Sequence, residues 1–204
     1  MMLSAVEPRR KSLVALFIDG EKAVDIDRET YLKSGLKPGD DVTDDMLHEL
    51  ICASDASRAE QKAMYLLSFR AHSERELAQK LSRTFSRKTA EEAAHKMKEL
   101  GFINDAEYAR SFAKGLYGRK HFAFSRVRME LMRRGIGREL AEKIAREEEP
   151  DAGEAIREVI AKKYQRCLGD EKGRRRTAAA LQRLGYQWNE IRSALRKFTA
   201  DEDE

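Results

Sequence analysis

The chain has 204 residues, with 40 Lys and Arg against 36 Asp and Glu for a formal charge of +4, and it is 41% hydrophobic and 37% charged. That composition describes a soluble, thinly cored polypeptide, either one ordinary domain or a row of small units. No run reaches the roughly 18 apolar residues of a membrane span, and MMLSAVEPRRK lacks the apolar stretch of a secretory signal, so a cytoplasmic protein with no membrane partner is expected.

Enzymatic chemistry has no foothold in the motifs. Cys52 and Cys167 have no CxxC partner, and His48, His72, His95 and His121 are scattered singly. A zinc site or a disulfide framework is therefore not expected. Without a phosphate-binding glycine loop, a GxSxG elbow or an HExxH helix, no catalytic residue, cofactor or metal is expected either.

Residues 1–56 differ in kind from the rest. SLVALFID and KAVDID are strand-like runs joined through Asp19-Gly20, a pair suited to the two positive φ angles of a type I′ turn, so a β-hairpin is expected. Its first strand is apolar on both faces, Leu13 to Ile18, and should pack on adjacent helices. YLKSGLKPGDDVT then reads as a helical turn broken at Pro38-Gly39, and Thr43 caps a helix carrying Met46, Leu47, Leu50 and Ile51.

From Ser57 onward no strand is predicted and helix starts recur. Ser57, Ser73, Thr89 and Asn104 are each followed three residues later by a glutamate, the pattern of a capping box. Aligned with itself, the chain shows a fifty-residue step: Leu77, Val127 and Thr177 correspond, as do Leu81, Leu131 and Leu181. Each pair puts an apolar or tolerant i, i+4 contact on one face of a second helix. Gly135 and Gly185 follow at the helix ends, where a left-handed residue would stop the helix; Phe85 stands at that place in the first unit, so its turn must differ.

First helices are expected at 58–70 (Met64, Leu66, Leu67, Phe69), 106–117 (Tyr108, Phe112, Leu116) and 153–166 (Ile156, Val159, Ile160, Tyr164). Third helices carry Ala93, Ala94, Met97 and Leu100, then Leu140, Ala141, Ile144 and Ala145, then Ile191, Ala194, Leu195 and Phe198. Three tandem three-helix repeats result, 57–105, 106–149 and 150–198, with an acidic tail at 199–204. Units this small cannot close a core alone, so an elongated curved array is expected.

Charge is organised in blocks. Residues 108–146 and 160–198 each carry 11 basic and 3 acidic residues, and 147–159 between them carry 1 and 6. The acidic stretch REEEPDAGE is expected to be a bend or joint. Arg126 and Arg133, seven positions apart, fall within about 20° on a helical wheel, away from the Val127–Leu131 face. The fifty-residue step carries them to Arg176 and Arg183, and carries Arg133 back to Arg83, whereas Arg126 maps to Glu76. We therefore expect a ladder of cations at Arg83, Arg133 and Arg183, and with Arg126, Arg134, Arg174, Arg175 and Arg176 a partner- or nucleic-acid-binding set suited to phosphate or carboxylate groups. A rival reading takes RVRMELMRRGIGRELAEKI as a helix-turn-helix that binds DNA unaided.

YLLSFRAHSERELAQKL (65–81), LGFINDAEYARSFA (100–113) and MELMRRGIGRELAEKIA (129–145) are similar, in order and spacing, to the RecX family of regulatory proteins. The resemblance covers roughly residues 60–198. It implies a bacterial cytoplasmic protein of three-helix repeats, without catalytic residues, that binds the RecA recombinase filament and modulates it, mostly by inhibition of ATP hydrolysis, strand exchange and growth. The partner would be the RecA–DNA filament, with single-stranded or duplex DNA as an alternative target, and the protein would act as a monomer.

Overall fold

The computed structural model describes residues 1–10 and 12–200, with side chains described through Arg196. Its contacts divide the chain into two units, Met1–Ile103 and Asn104–Glu204. Residues 201–204 of the acidic tail and the Phe198 side chain lie outside the described residues, and 199–200 continue the last helix.

The first unit begins with an antiparallel sheet in the order β1 (Leu3–Pro8), β2 (Leu13–Ile18), β3 (Glu21–Asp27). Asp19 and Gly20 have φ of 50° and 88°, which makes the β2–β3 connection the tight turn expected of the pair. The hairpin is therefore two strands of a three-stranded sheet. β2 is central, with neighbours on both edges, and β1 is a strand because it pairs with β2, Leu3 opposite Ile18 and Pro8 opposite Val14. Leu3, Val14, Leu16, Ile18, Ile26, Val42 and Leu50 form one core, with Leu47 and Ile51 packed against it, while Met46 is exposed. α1 (Arg28–Ser34) is capped by Asp27 and ends at left-handed Gly35.

α2 (Asp44–Phe69), capped by Thr43, runs through the expected boundary at 56/57 without interruption. The helix start expected at Ser57 is thus corrected. The Ser57 hydroxyl donates to Asp27 Oδ2 at 3.4 Å, and buried Ser54 accepts from the Asp27 amide at 2.7 Å. Both hydroxyls serve the α1 cap and leave the local helix backbone uninterrupted. One helix thereby spans two cores, giving Leu50 to the sheet and Ala59 and Ala63 to the first three-helix core.

α3 (Glu74–Leu81) starts where expected, with Ser73 accepting from the Glu76 amide. α4 (Arg87–Glu99) is capped by Ser86, three residues before the Thr89 start that the sequence suggested. Between them the Thr84 and Phe85 amides both donate to Leu81 O, a turn that needs no left-handed residue. Ala59, Ala63, Leu77, Leu81, Ala90, Ala93, Ala94 and Met97 fill this core. Small side chains on α2 and α4 let the two backbones approach closely. Met64, Phe69 and Leu100, expected to be buried, are 42%, 70% and 57% exposed.

The second unit contains α5 (Asp105–Lys120), α6 (Phe124–Arg133), α7 (Arg138–Glu147), α8 (Ala152–Lys163), a short 3-10 turn at Gln165–Cys167, α9 (Glu171–Leu184) and α10 (Trp188–Ala200). α5, α6 and α7 close around Ala109, Ala113, Leu116, Tyr117, Val127, Leu131, Ala141 and Ile144. The last three helices close around Ile156, Val159, Ile160, Leu168, Leu181 and Ile191. All six fifty-step positions, Leu77, Leu81, Val127, Leu131, Thr177 and Leu181, are buried to 1% exposure or less. Thr177 is tolerated there because its hydroxyl donates to Gly173 O at 2.9 Å.

The last two three-helix groups touch directly. The Ala123 amide donates to Leu184 O at 2.9 Å, the Ser125 hydroxyl donates to Gly185 O at 2.9 Å, and Ala123 belongs to the last core. Gly185 has φ 98°, and a Cβ there would stand 2.9 Å from Arg126 Cβ. It both ends α9 and admits the start of α6.

Candidate anion-binding faces

The eight predicted arginines do not form one uniform ladder. Arg83 belongs to the first unit and the other seven to the second. Arg83 is exposed in the turn after α3, whereas Arg133 is the last residue of α6 and Arg183 lies within α9, so the fifty-step correspondence does not give Arg83 a helical position.

On α6 the cations are already engaged. Arg133 donates to Glu130 Oε1 at 2.9 Å, and Arg126 Nε approaches the same oxygen at 3.4 Å without hydrogen-bond geometry. Arg126 also lies over the Phe122 ring, 5.2 Å from its centroid, and is half-buried. Arg134 lies over Phe112 at 5.1 Å. Such stacking favours a cation held against the fold. Glu130 thus gathers the two rungs of the middle repeat, a consequence of its place between them at i+4 and i−3.

The last repeat differs at the corresponding position. Fifty residues on from Glu130 stands Ala180, which is buried in the helix group. Among the described residues no carboxylate pairs with Arg174, Arg176 or Arg183, all exposed, while Arg175 donates to Glu171 at 2.5 Å. Of the two basic blocks, α9 therefore carries the more available charge.

The acidic stretch that closes and follows α7 explains part of the contrast. Glu147 stands 3.6 Å from Arg110, Glu148 stands 3.6 Å from Lys114, and Glu149 accepts from Arg146 at 2.7 Å. Arg128 donates to Glu142 at 2.7 Å. These pairs tie the acidic link and α7 to the first basic block, which offsets much of its charge. Tyr117 and Tyr186 sit at the same junction, around a cavity of about 180 Å³. Burial first, then nearby glutamates, pushes the Tyr186 hydroxyl up to about 12 and raises that of Tyr117, so both remain neutral. The Tyr117 hydroxyl donates to Ala145 O at 2.8 Å.

In the first unit the best-built polar cluster is structural. Arg70 clasps Glu76 with two hydrogen bonds, 2.7 and 3.2 Å. Burial alone would raise Glu76, but the Arg70 hydrogen bonds and charge, with help from His72, bring it down to about 2. His72 is buried; desolvation and the Arg70 charge lower it, and its Nδ1 lies 3.2 Å from Glu76 Oε2 outside hydrogen-bond geometry.

Sequence reasoning missed one exposed group. Trp188, Arg192 and Arg196 recur at i, i+4 and i+8 on α10, alongside the stripe that buries Ile191 and Ala194, and line one shallow depression with Asn189 and Ser193. The helical period alone could have found it.

Among the described residues no group of three or more His, Cys, Asp or Glu is placed to hold a metal, and no helix is long and apolar enough to cross a membrane. The fold and its charged faces define a protein of short, packed three-helix groups with arginine-rich outer surfaces. Residues 59–97 match the family description "RecX, first three-helix domain", and residues 104–143 match "RecX, second three-helix domain". Regulatory protein RecX of Caldanaerobacter subterraneus subsp. tengcongensis is 33% identical over 171 residues, covering 80% of this chain and 84% of that protein. Its counterpart in Clostridium acetobutylicum is 25% identical and covers 96% and 94%. The chain belongs to the RecX family.

Solved structures agree on the fold. A crystal structure of regulatory protein RecX superposes with a TM-score of 0.68 at 17% identity, covering 95% of this chain and 98% of the other. RecX from Lactobacillus salivarius gives 0.63 at 21%, covering 72% and 99%.

Proposed function

We propose that this protein is a non-enzymatic regulator that binds the RecA–DNA filament as a cytoplasmic monomer and opposes its ATP hydrolysis, strand exchange and growth. Membership of the RecX family, whose relatives bear the name regulatory protein, supports the assignment. The observation that carries the binding mode is the exposed, unneutralised arginine set Arg174, Arg176 and Arg183 of α9, among described residues. Arg176 and Arg183, seven residues apart, leave α9 on one face and Arg174 on another; such cations suit a periodic acidic or phosphate-bearing polymer, and several weak contacts on one partner add through effective concentration. Arg126, Arg133, Arg134 and Arg175 contribute less, because each is paired or stacked, while Arg83, exposed in the turn after α3, belongs to the first unit.

The decisive experiment is a titration of purified RecA ATPase on single-stranded DNA. Inhibition well below one chain per RecA subunit indicates capping of growth, and inhibition near stoichiometry indicates filling of the filament groove. An unchanged rate at every ratio overturns the proposal.

A second reading, DNA binding without RecA, draws on α6 and α7, which are joined through Gly135 at φ 87° in a helix-turn-helix-like arrangement. The start of α7 offers Glu139 and Leu140 where a base-reading helix usually presents polar donors. Tight sequence-specific duplex binding, together with an indifferent recombinase, would favour this reading.

A further inference from the structure

The outer face of α10 differs from its counterpart one repeat earlier. The fifty-residue step takes Trp188, Arg192 and Arg196 back to Arg138, Glu142 and Arg146 on α7. There the central residue is a carboxylate, hydrogen-bonded to Arg128 at 2.7 Å, and Arg146 is held by Glu149 and lies 4.0 Å from the Phe124 ring centroid. On α10 the carboxylate is replaced by Arg192 and the leading cation by an indole that is 57% exposed.

Glu190, the described acid of α10, is engaged at the helix start and not with Trp188 or Arg192. It turns back to accept the Gln187 amide at 2.7 Å at the helix start. Asn189 and Ser193 add exposed polar groups beside the indole.

A large aromatic ring left in water beside arginines has a specific use. Every nucleobase presents a π-face, and stacking on an exposed aromatic ring needs no sequence match, while neighbouring guanidinium groups hold the backbone phosphates. Arg192 and Arg196 follow Trp188 along the axis at steps of about 6 Å, so the strip is extended rather than a point. A duplex keeps its base faces stacked on each other, and an acidic peptide gives the indole nothing to stack upon. The block 160–198, with 11 basic and 3 acidic residues, supplies a favourable field for a polyanion.

We propose that the Trp188–Arg192–Arg196 face of α10 is a stacking site for the bases of single-stranded DNA. The site is separate from the α9 arginines, and the choice of DNA over RNA rests on the filament reading above.

Trp188 is the chain's one tryptophan, so its emission reports directly on the site. Full-length protein, without recombinase, is titrated with a dT oligonucleotide of about 20 nucleotides. Saturable quenching of the emission is expected. Binding of labelled oligonucleotide, followed by anisotropy, should weaken about tenfold or more in Trp188→Ala. It should weaken less in Trp188→Phe, which keeps a ring.

Arg192→Gln should lower the slope of log affinity against log salt by about 0.7. It also serves as the test if Trp188→Ala does not fold. Emission unchanged by dT overturns the proposal, as does equal binding by wild type and Trp188→Ala. Equal or stronger quenching by the matching RNA or by a duplex does so too. Because no recombinase is present, these results stand or fall apart from the ATPase titration.

Discussion

The hydroxyl of Ser125 donates to the carbonyl of Gly185 across 2.9 Å, joining the start of α6 to the end of α9 sixty residues later. Gly185 is held at φ 98° with no room for a side chain, since a Cβ would meet Arg126 Cβ at 2.9 Å and Ser125 Oγ at 3.0 Å. Gly185→Ala should therefore destabilise the second unit by about 2–3 kcal/mol, combining backbone strain and overpacking. Ser125→Ala should cost about 1 kcal/mol. Urea unfolding measures both, and faster hydrogen exchange at the Ala123 amide, which donates to Leu184 O, would localise the damage to this junction. Equal stabilities for wild type and Gly185→Ala would contradict the account.

Glu130 holds Arg133 at 2.9 Å and stands 3.4 Å from Arg126. Glu130→Gln should release both cations and strengthen inhibition of the recombinase at low salt, by a factor of about three, with the gain vanishing at high salt. Arg176→Gln with Arg183→Gln should instead weaken inhibition, by about tenfold, with helix content by circular dichroism unchanged. If Arg133→Gln alone were as damaging as that double change, the distinction between paired and available arginines would be wrong.

Glu76 has a folded-state pKa of about 2 against an ordinary value of 4.5. A carboxylate depressed on folding contributes stability that is fully present above 4.5 and is lost as pH falls from 4.5 through about 2. His72, lowered from 6.5, adds an earlier loss as pH drops below that value. Glu76→Gln should cost about 2 kcal/mol at pH 7. It should also flatten the acid limb of a stability–pH curve, and parallel limbs for the two proteins would count against the Arg70–Glu76 clasp.

Ser57 and Ser73 look alike in sequence, each followed by a glutamate three residues on, yet only Ser73 caps a helix. Ser73→Ala should cost about 1–2 kcal/mol through loss of the cap. Ser57→Ala removes two long contacts of 3.4 Å, one donated to Asp27 and one accepted from exposed Gln61, and should cost well under 1 kcal/mol in the same thermal melts. A reversed order would mean that α2 breaks near residue 57 in solution.

The local pattern was enough to establish the helical class, the type I′ turn at Asp19-Gly20, the caps at Thr43, Ser73 and Asn104, and the core positions from Leu77 to Leu181. Each depends on neighbours within about four residues, the range over which helical periodicity and capping act. The RecX likeness was legible for the same reason, its motifs being contiguous.

Tertiary structure decided the rest. β1 is a strand because β2 lies beside it, and α2 ignores Ser57 because Asp27 claims that hydroxyl. Arg126 and Arg133 share a wheel face with Arg176 and Arg183 after translation by fifty, but partners decide whether a charge is available. Glu130 stands among the first pair and buried Ala180 between the second. Helical spacing sets the direction in which a side chain leaves its own helix. Whether it then meets a carboxylate, an aromatic ring or water depends on residues far away in sequence, which only the packed chain brings together.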